Sequence, residues 1–123
     1  STKGANYVIS NLRDMYKMAK KAGLTVVACT IPDWDVENMR PTWVKRWRNR
    51  NWGKNGVYPY SVRQLRDQTK QVNSWIQSQE GTLIDAFVDT STGDFERSKD
   101  GIHRTKKGYE KMAKAIKEKG NIL

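Results

Sequence analysis

Two short, almost uninterrupted apolar runs constrain the fold of this chain more than any other feature. The first, at 24–31, is rich in β-branched residues and stops at Pro32, and the second lies at 82–88. Runs of this length and composition are typical of strands buried on both faces, as in a parallel sheet covered by helices. We therefore predict parallel strands at about 24–31 and 82–88.

A helical pattern precedes the first of these strands. Apolar residues recur there at spacings of three and four, which predicts one buried stripe: Val8, Leu12, Met15, Ala19 and Ala22. Gly23 follows directly, and glycine is the residue that most often ends a helix in the left-handed conformation. We predict a helix that ends at this glycine.

Two further helical patterns follow the long segment after Pro32. Ser61 and Gln64 form a capping box for a helix that reaches Gly81. Its buried stripe is predicted from apolar periodicity: Val62, Leu65, Thr69, Val72 and Ile76. Thr105 is placed to cap the last helix, whose predicted inner face consists of Tyr109, Met112, Ala113 and Ile116.

Helices and strands that alternate in this order indicate an α/β fold. We expect residues 1–123 to form a single domain, but two parallel strands leave sheet edges and parts of the helices uncovered. The chain is therefore predicted to be the C-terminal portion of a larger α/β domain, with the missing strands supplied by another segment.

Composition narrows the classes of function only a little. The net charge of +10, from 23 Lys and Arg against 13 Asp and Glu, favours anionic partners such as nucleic acid or an acidic glycan, although a solvated basic surface explains it equally well. The single cysteine, Cys29, excludes an internal disulfide and a site with several cysteine ligands, and its apolar surroundings predict an inert buried thiol. No apolar run approaches the roughly 20 residues of a membrane span, and no signal-peptide pattern opens the chain.

The segment 33–60 is predicted to be a basic, tryptophan-rich loop inserted between the first strand and the second helix. Guanidinium groups beside aromatic rings suit stacking on sugars or bases with charge contacts to anionic groups. The candidate substrate-binding residues are Trp34, Trp43, Trp47, Arg48 and Trp52. The alternative is that these tryptophans pack the loop onto the body of the domain.

The only histidine, His103, lies three residues after Asp100, just before the last helix. A tight turn through Gly101 can fold the carboxylate back towards the imidazole and fix its tautomer. The other ring nitrogen is then available to take a proton from a nucleophile. Because an Asp-x-x-His spacing also arises by chance, the alternative is an ordinary surface histidine.

The segment 100–109, which reads Asp-Gly-Ile-His-Arg-Thr-Lys-Lys-Gly-Tyr, resembles the final block of the SGNH (GDSL-type) serine hydrolase superfamily. In that family an Asp-Gly-x-His turn precedes a helix that opens with Gly-Tyr. The helix that ends at Gly23, the run 24–31 and Pro32 are similar to the family's fourth strand with its flanking residues, and 82–85 resembles the fifth strand. The resemblance covers most of residues 7–35 and 61–119. The resemblance implies a three-layer α/β/α (flavodoxin-like) fold.

The resemblance also implies roles for individual residues. His103 would be the general base and Asp100 its orienting carboxylate. The family's Gly-Asp-Ser turn is absent from this chain, so the nucleophilic serine is expected from an upstream segment. Gly4-Ala5-Asn6-Tyr7 resembles the family's Gly-x-Asn-Asp block, with Tyr7 in place of the aspartate, which makes Asn6 a candidate oxyanion donor and, alternatively, a helix cap.

The resulting hypothesis is hydrolysis of a carboxylester or a carbohydrate O-acyl ester, without a metal or organic cofactor. The expected partner is the N-terminal half of the same hydrolase, as a separate or cleaved chain that carries the serine and the oxyanion hole. The chain alone is expected to be inactive. The alternative hypothesis is a non-catalytic basic module that binds an anionic glycan or nucleic acid.

Overall fold

The computed structural model of this chain describes residues 3–32, 62–91, 95–99 and 103–122. The tryptophan-rich segment 33–60 lies outside the described residues, and so does Asp100. The predictions made for the candidate binding residues of that segment, and for the capping serine at position 61, therefore stay predictions.

The first helix, α1, spans Lys3–Lys21 and ends as the sequence predicts. Gly23 has a φ of 78°. The N–H of Leu24 donates to the carbonyl of Ala19, and the N–H of Gly23 donates to the carbonyl of Lys20, both at 3.0 Å. This pair of bonds is a Schellman motif, which only a residue without a Cβ enters cheaply.

Two strands, β1 at Val27–Cys29 and β2 at Ala86–Val88, form a parallel sheet. Their register pairs Val27 with Ala86 and Cys29 with Val88. The helix α2 spans Val62–Ser78 between the strands, and α3 spans Lys106–Ile122 after them. The predicted mixed α/β class and the parallel pairing are confirmed, although both strands are shorter than the apolar runs that predicted them.

One face of the sheet packs against α1 and α2. The cluster of buried apolar residues there contains Ala5, Ile9, Ala28, Val72, Ile76 and Ile84. Leu12, Tyr16 and Trp75 pack against its margin, where the Tyr16 and Trp75 rings stack with centroids 6.0 Å apart. The stripe predicted for α2 is confirmed at Val72 and Ile76.

The other face of the sheet is covered by α3. Ala86 and Val88 are buried but are not members of the first cluster. Because side chains alternate between the faces of a strand, these two residues point towards α3, which contacts both strands. The two strands therefore have helices on both sides.

The stripe predicted for α1 is confirmed at Leu12 and Ala19, which are half-buried, and wrong at Val8, Met15 and Ala22, which are exposed. The fully buried positions of this helix are Ala5 and Ile9. The predicted stripe and the observed stripe both have helical periodicity, so the sequence pattern alone does not show which one is buried. The position of the sheet determines which one is buried.

The inner face predicted for α3 is confirmed at Met112 and wrong at Tyr109, Ala113 and Ile116, which are exposed. The inner positions are Gly108, Met112 and Ala115. The reason is the closeness of packing: a Cβ on Gly108 would lie 2.4 Å from the carbonyl oxygen of Glu96. Small residues face inward here because the helix approaches another backbone, and the larger side chains point outward.

Cys29 is exposed, which corrects the prediction of a buried thiol. Cys29 lies on the α3 side of β1. The residues on the same side of β2, Ala86 and Val88, are buried, so α3 covers β2 more completely than β1. The sulfur still has close neighbours, and this partial desolvation raises the pKa of the Cys29 thiol above its ordinary value. Among the described residues, no helix is long and apolar enough to cross a membrane.

Candidate functional site

The carboxyl ends of the two parallel strands meet in a buried polar layer. Thr30 follows β1 directly, and Thr90 is the second residue after β2. Both are among the most buried side chains described. The N–H of Thr90 donates to Oγ1 of Thr30 at 2.8 Å, and Oγ1 of Thr90 donates to the carbonyl of Thr30. The two threonines lock the strand ends together at the edge where ligands bind in open α/β sheets.

Asp89 is the carboxylate of this layer, and the sequence analysis missed it. Its Oδ1 accepts hydrogen bonds from the hydroxyl of Thr30 at 3.1 Å and from the N–H of Ser91 at 3.0 Å. The hydroxyl of Ser91 donates to the same oxygen. Burial alone would raise the pKa of Asp89, but these three donors outweigh burial and lower it. An aspartate directly after a buried strand was the available signal.

Asn73 of α2 closes the other side of the strand end. It is buried, and its Oδ1 accepts from the N–H of Ile31 at 2.7 Å while its Nδ2 donates to the carbonyl of Ile31 at 2.9 Å. The amide acts as a peptide group would in a neighbouring strand, so the backbone of Ile31 stays paired after β1 has ended.

A short antiparallel turn carries His103. Thr105 donates its N–H to the carbonyl of Glu96 at 3.0 Å, Arg97 and Arg104 form an isolated bridge, and Ser98 donates its N–H to the carbonyl of His103 at 2.8 Å. These contacts fix the main chain on both sides of the segment 99–102, at the position where the sequence predicts a tight turn.

The His103 turn is joined to the strand end by Arg104. This residue is 4% exposed, and its Nη2 donates to the carbonyl of Thr90 at 3.2 Å. His103 itself is exposed and stands one residue before this anchor. Through the side chain of Arg104, the segment that carries His103 is tied to the main chain two residues after β2.

The start of α3 fixes the other end of this turn. Oγ1 of Thr105 accepts the N–H of Gly108 at 3.1 Å, which confirms the predicted cap. The same hydroxyl donates to Oε2 of Glu96 at 2.7 Å. His103 thus lies between a capped helix and a backbone pairing, and both restrict its main chain.

Asn6 lies within the first turns of α1 rather than before the helix, so its prediction as a helix cap is wrong. Its side chain is exposed, and Oδ1 accepts from Nε2 of Gln71 at 3.5 Å, at the limit of a hydrogen bond. Its role as an oxyanion donor stays a prediction. In the described part of the chain, no group of three or more His, Cys, Asp or Glu residues is placed to hold a metal ion.

Comparison of the chain with protein-family models, with curated proteins and with solved structures finds no match. Function is therefore inferred from the sequence motifs and from the geometry of the described residues.

Proposed function

We propose that this chain supplies the Asp100–His103 pair of an SGNH-type serine hydrolase that cleaves carboxylesters or carbohydrate O-acyl esters. The observation that supports this most is the fixed turn around His103. Its main chain is paired with Ser98, and the next residue, Arg104, bonds the carbonyl of Thr90 at the end of β2. A general base needs such a fixed backbone beside the edge of the sheet where the nucleophile would arrive.

In this mechanism His103 takes the proton of a serine hydroxyl as the serine oxygen attacks the acyl carbon. The bond between the acyl carbon and the alcohol oxygen then breaks, and His103 passes the proton to the leaving alcohol. Water repeats the cycle on the acyl-serine, releasing the acid and the free serine. Asp100 orients the imidazole and stabilises its charged form.

We propose further that the serine and the oxyanion donors come from the N-terminal half of the same hydrolase, present as a separate or cleaved chain. Among the described residues β1 pairs with β2 alone, and we propose that strands of the partner extend this two-stranded sheet. Large apolar side chains of the described part of the chain are exposed, including Leu24 at 59% and Met15 at 61%. An incomplete α/β sheet of this kind is expected to take up further strands.

A fluorophosphonate probe, which reacts with activated serines, tests this proposal. The chain is isolated together with any polypeptide that accompanies it, labelled, and analysed by intact mass. We expect the label on a second polypeptide of roughly 70 to 110 residues, the length of three strands with their connecting helices. Label on this chain, or a homogeneous 14.2 kDa species that hydrolyses esters alone, would exclude the split arrangement.

The role of His103 is tested in the same complex with p-nitrophenyl acetate. We expect His103→Ala to lower kcat by about 10³-fold or more, the loss typical when one member of a catalytic triad is removed. Lys107→Ala is the matched control, since Lys107 is an exposed neighbour on α3. Near-normal hydrolysis by His103→Ala would remove the histidine from the mechanism.

A non-catalytic basic module is the second candidate function, and the exposed lysines of α3 favour it. Lys106, Lys107, Lys114, Lys117 and Lys119 are all exposed. Such a surface predicts binding to a polyanion whose affinity falls steeply with salt, because each neutralised phosphate releases a counterion. A heparin or DNA titration between 50 and 200 mM NaCl, beside the esterase assay, separates the two functions.

A further inference from the structure

A polar cleft lies along α2, on the side of the sheet where the strands end. Its volume is about 320 Å³, and its lining comes from α2 between Arg66 and Gln77, together with Ser91 after β2. This volume is at the lower end of the range for small-molecule sites and fits one sugar-sized unit. No part of the esterase proposal uses this cleft.

The two ends of the cleft differ in charge. Arg66 and Lys70 stand at one end, one helical turn apart, so both lie on the same face of α2. In the described residues neither cation forms an ion pair, and no acidic side chain lines the cleft. This end suits one oxyanion group, a carboxylate, sulfate or phosphate.

The remainder of the cleft is neutral and polar. Ser74 and Gln77 continue the same stripe of α2, and Thr69 lies beside the two cations. None of these three side chains has a hydrogen bond within the described part of the chain, so all of them are available to hydroxyl groups of a ligand. Both amide atoms of Asn73 are hydrogen-bonded to the backbone of Ile31, so this side chain is fixed where it lines the cleft.

Ser91 closes the cleft at the strand end. Its hydroxyl proton is donated to Asp89, so its oxygen offers lone pairs to the cleft. The anionic group of a ligand is directed to Arg66 and Lys70 by their charge, and a ligand hydroxyl can donate to the Ser91 oxygen.

We infer that this cleft binds an acidic sugar: a polyol of monosaccharide size that carries one carboxylate, sulfate or phosphate group. The anionic group contacts Arg66 and Lys70, and the sugar hydroxyls contact Ser74, Gln77 and Ser91. This inference concerns binding alone, and it holds whether or not the chain takes part in ester hydrolysis.

Calorimetric titration of the full chain with D-glucuronate, D-glucose 6-phosphate and D-glucose tests the inference. We expect at least one acidic sugar to bind about tenfold or more tightly than glucose, since only the acidic sugars can form charge-assisted hydrogen bonds with Arg66 and Lys70. Comparison of the two acidic sugars identifies the preferred anionic group. Equal affinity for all three sugars, or binding of none, overturns the inference.

The double variant Arg66→Gln/Lys70→Gln locates the site. We expect it to weaken binding of the preferred acidic sugar about tenfold or more, while circular dichroism shows an unchanged helix content. Lys17→Gln/Lys114→Gln is the matched control, because it removes two exposed charges outside the cleft. If both double variants weaken binding equally, the attraction is a diffuse effect of net charge and the cleft is not the site.

Discussion

At the scale of single residues, the strands are held at both ends by side chains of their neighbours. At the amino end, Asp85 accepts the N–H of Val26 at 2.7 Å and the Nζ of Lys20 at 2.7 Å. At the carboxyl end, Asn73 and Thr30 bind backbone groups. A strand of three residues has few ladder bonds, so these contacts limit how far its ends can fray.

The carboxylate of Asp85 makes the stability of the fold depend on pH. The Lys20 ammonium, as the largest effect, and the Val26 N–H lower the pKa of Asp85 below its ordinary value of 3.8. Asp85 therefore has a lower pKa in the folded chain than in the unfolded chain. Its carboxylate stabilises the fold at pH values above the unfolded-state pKa. This stabilisation is lost as the pH falls through the folded-state pKa.

We therefore expect Asp85→Asn to lower the Tm at pH 6, with a difference from the wild type that shrinks below about pH 4, near the unfolded pKa. Thermal unfolding followed by circular dichroism between pH 2 and 7 measures this. Asp14→Asn is the control, because Asp14 is exposed on α1 and should leave the profile unchanged. Parallel wild-type and Asp85→Asn profiles across the whole range would contradict the argument.

At the scale of elements, the sequence predicts helix ends better than helix faces. The ends at Gly23 and Thr105 depend on hydrogen bonds between residues close in sequence, and both predictions are confirmed. The buried faces of α1 and α3 depend on where the sheet lies, and both predictions are only partly right. The site shows the same division. The cap at Thr105 follows from local residues, whereas Asp89 meets Thr30 across 59 residues and Asn73 meets Ile31 across 42.

The small inner residue of α3 leads to a prediction about packing. A Cβ at Gly108 would lie 2.4 Å from the carbonyl oxygen of Glu96 and 3.1 Å from Cβ of Arg104. The close atom at Glu96 belongs to the backbone, so relief requires the His103 turn to move away from the helix. Overpacking of this kind typically costs about 1–3 kcal/mol.

We expect Gly108→Ala to reduce the free energy of unfolding by about 1–3 kcal/mol for this reason. Gly120→Ala, in the same helix, has no atom within 4 Å of the new Cβ, and it should raise stability by up to about 1 kcal/mol because alanine favours helix. Urea unfolding of both variants gives the comparison. Equal effects of the two substitutions would mean that the contact with Glu96 is not a tight one.

At the scale of the whole molecule, a strongly charged chain carries exposed apolar side chains in its described part. The net charge is +10, while apolar side chains such as Met15 at 61% and Met18 at 72% are exposed on α1. Charge repulsion keeps copies of the chain apart at low salt, and screening shortens its range to roughly 4–5 Å at 0.5 M. The exposed apolar residues then decide whether copies associate.

We expect the isolated chain to sediment as a monomer in 20 mM NaCl and to associate in 500 mM NaCl with reductant present, since screening removes the repulsion but not the attraction between apolar surfaces. Met15→Lys should suppress the association. Ser10→Lys adds the same charge at an exposed position elsewhere on α1, so it should suppress association far less if the apolar surface drives it. Two results would show that this surface has no affinity for apolar partners: a wild-type chain that stays monomeric in 500 mM NaCl, or equal suppression by both variants. Either result would weaken the case that a further strand-bearing segment covers the surface.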